Sequence, residues 1–160
     1  MQSAKTQPID PDHHISWVKP PGGTIKCNMD AAIFHNNAVA GYGICYRNSE
    51  GELLLGKSAI IHSSLSVLEA EAIALLEAMK LSISSRFHHV YYETDSKILT
   101  KAILSNTIHH NEFGDLVAQC RNLLITNSGF KVSFIRRQAN RVAHSIARAS
   151  LTHPSPYIFN

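Results

Sequence analysis

Three strand-type runs follow one another between residues 25 and 61 before any helical pattern begins, and that order restricts the architecture more than any other feature of the chain. TIKCNMDAAI alternates, with Ile25, Cys27, Met29, Ala31 and Ile33 on one side and Lys26, Asn28 and Asp30 on the other, the period of a half-buried strand. AVAGYGICYR (38–47) and ELLLGKSAII (52–61) come next, joined by Asn-Ser-Glu-Gly, a turn composition typical of hairpins. Strands linked this tightly form an antiparallel meander. The pattern then changes to a long helix over roughly 66–83, a strand in HVYYET and a helix in DSKILTKAILS. A third helix, EFGDLVAQCRNLLIT, closes at Asn-Ser-Gly, and the strand FKVSFIRR and the helix NRVAHSIARAS follow. The order βββαβααβα predicts an α/β fold, a mixed sheet with helices packed on it. Residues 1–16 lack periodicity and read as a disordered lead or linker, 17–150 as one domain, and 151–160 as a C-terminal tail.

With 160 residues, 44% of them hydrophobic, the chain can bury a core without staples. Cys27, Cys45 and Cys120 are widely spaced and odd in number, which fits neither a disulfide framework nor a zinc pattern. They predict reduced thiols and an intracellular protein, nuclear or cytoplasmic and not secreted. No run of 18 apolar residues occurs, so no membrane span is expected. Net charge is only +3, but no acidic residue follows Asp115, while Arg121, Lys131, Arg136, Arg137, Arg141 and Arg148 do. A C-terminal third of one sign points to a polyanionic partner, nucleic acid first.

Three acids break their local patterns. Asp30 lies inside a strand, where Asp is depleted; it is either a solvent-facing strand residue or a carboxylate kept for a ligand. On the long helix, Ser66 and Glu69 match a capping box, and Glu69, Glu77 and Lys80 share the polar side. Glu71 instead falls with Val67, Ala74, Leu75 and Ala78. A carboxylate in an apolar stripe is costly unless it is paired or bound to a metal, and helix geometry leaves those alternatives open. Asp95 ends the fourth strand, where ligands gather in open α/β sheets, although an N-cap role for the next helix is equally available. Glu93 belongs to the same strand and can face the same side. If the three acids converge they repel one another unless divalent cations lie between them. All-oxygen ligands favour Mg²⁺, and its matching chemistry is in-line attack of water on a phosphodiester.

At this point the sequence resembles the type 1 ribonuclease H family, in its plant branch related to the ribonuclease H domains of non-LTR retroelement reverse transcriptases. The resemblance runs from W-x-x-P-P-x-G-x-x-K-x-N-x-D-A-A (Trp17 to Ala32) through the Gly41/Gly43 strand to L-x-A-E-A-x-A-L-L-E-A (Leu68 to Ala78). It continues as E-T-D-S (Glu93 to Ser96) and R-x-A-N-R-V-A-H-x-I-A (Arg137 to Ala147). It implies a five-stranded mixed sheet in the order 3-2-1-4-5, its first three strands antiparallel, with helices on both faces. It also implies a monomeric endonuclease that hydrolyses the RNA strand of RNA–DNA hybrids with two Mg²⁺ ions, or Mn²⁺. Carried over to this chain, the metal-holding and catalytic acids are Asp30, Glu71 and Asp95. The alternative is a catalytically weak or inactive nucleic-acid-binding module of the same fold.

The resemblance breaks at His144, which stands where active members of the family carry a fourth acid, and the loop before it, Arg-Arg-Gln-Ala, has no histidine. As a catalytic candidate, His144 either ligates a second metal or its water, favouring softer ions than Mg²⁺, or makes a surface or supporting contact. On the helix it is expected one turn from Asn140 and Arg148, opposite Val142 and Ile146. The remaining histidines lack the helical i, i+4 spacing of a zinc site. The resemblance further implies hybrid contacts from Asn36, Asn37, Ser64 and Ser66 and phosphate contacts from Arg136, Arg137 and Arg141.

Overall fold

The computed structural model describes residues 15–34 and 38–160. Strands β1 (Ile25–Phe34), β2 (Val39–Arg47) and β3 (Leu53–Ile61) form the expected meander. Helix α1 (Val67–Ser84) follows, then β4 (Val90–Thr94), α2 (Lys97–Leu104), α3 (Glu112–Thr126) and β5 (Phe130–Phe134). A 3-10 turn over Arg137–Asn140 leads into α4 (Arg141–Arg148). β4 pairs parallel to both β1 and β5, which makes the sheet mixed as expected.

The sheet has six strands rather than five, in the order β5-β4-β1-β2-β3-β6. The additional strand, β6 (Tyr157–Phe159), comes from the segment read as a tail and pairs antiparallel with β3. Its seating has a steric reason: the Phe159 ring occupies the space where a Cβ on Gly56 would stand. Pairing also covers the backbone groups of an otherwise open edge.

The two faces of the sheet are built differently. Cys27, Met29, Ile44, Tyr46, Val90 and Tyr92 join α1 residues such as Leu75 and Met79 in the main core, with Leu99 of α2 and Val117 of α3. The thiols of Cys27, Cys45 and Cys120 are free and buried. On the opposite face α4 packs on β1 and β2 through small residues. A Cβ on Gly43 would lie 2.5 Å from the Ala147 nitrogen and 2.7 Å from the Ala143 oxygen. Ala143 and Ala147 are therefore the buried residues of α4, while Val142 is 44% exposed. Of the two apolar residues expected opposite His144, Ile146 reaches the sheet, its Cβ 2.7 Å from where a Gly43 Cβ would stand, while Val142 is exposed; the glycine is what permits so close an approach of helix to strand.

Candidate active site

Asp30 is the cross-strand partner of Gly43. The contact that draws α4 onto Gly43 therefore delivers α4 side chains to Asp30. His144 is the one that arrives, its Nδ1 2.7 Å from Asp30 Oδ2. Asp30 is almost wholly buried, whereas the His144 side chain stays 41% exposed.

Glu71 comes from the second turn of α1 and is buried. The wheel separates it correctly from Glu69: Ser66 and Glu69 form a reciprocal capping box, Glu69 N–H to Ser66 Oγ at 3.1 Å and Ser66 N–H to Glu69 Oε1 at 3.2 Å. Ser66 is thereby engaged in capping its helix. Glu77 pairs with Lys80 at 3.5 Å and with Lys57 at 3.8 Å. Asp95 follows β4, and the cap of α2 is Ser96, whose side chain accepts from the Leu99 N–H. The carboxylate of Asp95 is left for the site. Glu93 lies farther back on the same face, bonded to Asn28 and 3.4 Å from Lys26 Nζ.

One oxygen each from Asp30, Glu71 and Asp95 lies within 4.8 Å of the others. Burial and then the negative charge of Asp30 push the Glu71 carboxyl well above the usual carboxylate range, against a weaker opposing backbone hydrogen bond from Ala31. Asp95 is also raised, by burial and by Asp30, with Arg137, His144 and the Asn140 side chain acting in the opposite direction. Glu71 Oε2 and Asp95 Oδ2 are buried without a hydrogen-bond partner. Two buried carboxyl oxygens without a hydrogen bond, facing a third carboxylate, form a hard, all-oxygen donor set, and that set fits a divalent cation such as Mg²⁺.

The other expected contacts divide. Arg137 is at the site, Nε 3.8 Å from Asp95 Oδ2, and Arg136 and Arg141 are exposed beside it in sequence. Ser64 is exposed in the loop before α1. Asn36 and Asn37 lie outside the described residues. Arg121 does not belong to the basic surface: its guanidinium donates to the carbonyls of Ala102, Ile103 and Thr107. Sequence reasoning overlooked the polar cluster behind the acids. Asn28, fully buried, accepts from Trp17 Nε1 at 3.0 Å and Arg47 Nη2 at 3.3 Å, and donates to Glu93 and Asn140. The available signal was Asn28 on the same side of β1 as Asp30.

The family model described as reverse transcriptase-like matches residues 28–150. The chain belongs to the reverse transcriptase-like family. An Arabidopsis thaliana protein named "Putative ribonuclease H protein" is 26% identical over 133 residues, 83% of this chain and 21% of that protein. The chain thus spans about a fifth of the length of that relative. Among solved structures, ribonuclease H1 of Halobacterium salinarum superposes with a TM-score of 0.73 at 18% identity, covering 81% of this chain and 98% of that one. A ribonuclease H1 isolated from compost, solved in complex with an RNA/DNA hybrid, gives 0.71 at 17% identity over 81% and 97%. At such identities the likeness is one of fold: this reverse transcriptase-like chain has the ribonuclease H fold, with its acidic cluster on β1, α1 and the end of β4.

Proposed function

We propose that this reverse transcriptase-like domain is a metal-dependent endonuclease that hydrolyses the RNA strand of RNA–DNA hybrids. The observation that carries the reading is the convergence of Asp30, Glu71 and Asp95 within 4.8 Å, two of them with orphaned buried oxygens. The ribonuclease H names of its relatives, one of them solved on an RNA/DNA hybrid, point the same way. Asp30, Glu71 and Asp95 would hold Mg²⁺, or Mn²⁺ in its place, as two ions. Bound there, the cations would supply neutralisation of phosphate charge and activation of a water.

The protein's own part is placement. Water attacks phosphorus and gives up a proton as the bond to the 3′-oxygen breaks; the leaving oxygen takes a proton in turn, and the product keeps a 5′-phosphate. Arg137, already drawn to Asp95, with Arg136 and Arg141 alongside, would orient the phosphodiester backbone. The exposed edge of His144 faces solvent beside Asp30, where it would meet the scissile region as a hydrogen-bonding group in place of a fourth carboxylate.

The test is cleavage of a labelled RNA–DNA hybrid in Mg²⁺ or Mn²⁺ with Asp95→Asn as control. Cleavage by the wild type alone supports the reading. Hybrid binding without cleavage in either metal would replace it with a binding module, a reading favoured by one observation, the imidazole seated on a carboxylate oxygen that a metal would use.

A further inference from the structure

Asn140 occupies the N-cap position of α4, yet its side chain makes no capping hydrogen bond. Asn is among the best N-cap residues, a role worth about 1 kcal/mol. Here the amide turns inward. Its Nδ2 donates to the Met29 carbonyl at 2.9 Å, and its Oδ1 accepts from Asn28 Nδ2 at 3.2 Å. Both asparagines are fully buried, where an unsatisfied amide would be costly. The partners fix their orientation. Trp17 and Arg47 can only donate to Asn28 Oδ1, and the Glu93 carboxylate accepts from Asn28 Nδ2.

The Met29 carbonyl belongs to the peptide that enters Asp30, and His144 stands one helical turn beyond Asn140 on the same face. The His144 side chain is 41% exposed, and its place over Asp30 follows from where α4 is pinned. The Gly43 contact sets the distance of the helix from the sheet but has no directionality. The amide pair does. We infer that Asn140 is a positioning residue, which through Asn28 and Met29 holds His144 against Asp30 and so tunes the acidic cluster's metal affinity. The relay reaches Trp17, stacked on the Arg47 guanidinium at 3.8 Å and outside the matched residues 28–150. In its metal arm the inference rests on the cluster being a divalent-ion site.

The experiment reads two signals in the full chain: the His144 imidazole nitrogen resonances of metal-free protein, assigned by comparison with His144→Ala, and Mn²⁺ affinity by calorimetry. Asn140→Ala is expected to shift the His144 Nδ1 resonance and to weaken Mn²⁺ binding about tenfold, the usual scale for removing support behind a metal ligand. In a His144→Ala background most of that loss of Mn²⁺ affinity should vanish, because the larger part acts through the ring; the remainder measures the direct contact of the Asn140 side chain with Asp95. Trp17→Phe, which deletes only the indole N–H, should move both signals the same way by less while folding normally. A lowered melting temperature with an unmoved His144 resonance would overturn the inference and leave Asn140 a structural residue. If the wild type binds no Mn²⁺, the metal reading fails by itself, and the His144 resonance still decides the positioning role.

Discussion

His144 Nδ1 and Asp30 Oδ2 lie 2.7 Å apart, joining the first strand to the last helix at the most buried acid of the site. An imidazole there hydrogen-bonds Asp30 where a fourth carboxylate would repel it. The metal-free cluster thereby carries one carboxylate fewer, and for the same reason it attracts a cation less strongly than four acids would.

His144→Asp should therefore raise Mg²⁺-dependent cleavage by about tenfold, roughly 1.4 kcal/mol off the barrier. The wild type should prefer Mn²⁺, which accepts nitrogen more readily. His144→Ala should slow cleavage less than Asp30→Asn. A flat Mg²⁺ rate in His144→Asp, with cleavage abolished in His144→Ala, would instead assign the ring to proton transfer.

Gly43→Ala tests what brings α4 to the site. The added methyl meets helix backbone at 2.5 and 2.7 Å, and backbone yields only if the whole helix moves. Overpacking of this kind costs about 1–3 kcal/mol. Denaturant unfolding should record that loss, and the hydrogen bond from His144 to Asp30 should disappear from the imidazole spectrum.

Glu69→Ala separates the two glutamates of α1. Loss of one half of a capping box should cost about 1 kcal/mol in urea unfolding, with cleavage kinetics unchanged. A drop in cleavage comparable to that of Glu71→Ala would mean that the helix face was misassigned.

Replacing Arg136, Arg137 and Arg141 together by Gln should flatten the dependence of log K on log salt for hybrid binding by about 2.7, three phosphate contacts at about 0.9 each. Arg121→Gln behaves differently because its guanidinium serves the carbonyls of the α2–α3 region. It should lower the melting temperature and leave the salt slope alone.

Asp30 stood out by residue type, a carboxylate inside a strand, and Glu71 by leaving the polar side of its helix for the apolar one. Asp95 was placed by its position at a strand end, and the structure removes its alternative role by giving the cap to Ser96. The Asn28–Asn140 pair spans 112 residues, and a polar contact at that separation leaves no mark on local pattern. β6 was missed because three residues are too few to display alternation; it exists because Gly56 leaves room for Phe159. Val142 is exposed on α4 because the helix meets Gly43 through Ala143, Ile146 and Ala147.

Glu71→Gln isolates the electrostatic strain of the metal-free cluster. Glu71 has a folded-state pKa above its ordinary value of 4.5, chiefly through burial and the charge of Asp30. Below that value the group is protonated in folded and unfolded chains alike, and its ionisation costs folding nothing. As pH rises past it, the unfolded chain releases the proton while the folded chain retains it. Stability then falls by up to about 1.4 kcal/mol per pH unit until the folded carboxyl also ionises. Gln keeps the shape and cannot ionise. In metal-free buffer the variant should melt with the wild type near pH 4.5 and progressively above it toward pH 8, by about 2–4 °C for each kcal/mol recovered. Adding Mg²⁺ should narrow the gap from the other side, since a ligand that binds the folded state raises the wild-type melting temperature and finds a poorer site in the variant. A Glu71→Gln variant that melts below the wild type at pH 8 without metal would show that the Glu71 charge is compensated, and the acidic cluster would then need no cation.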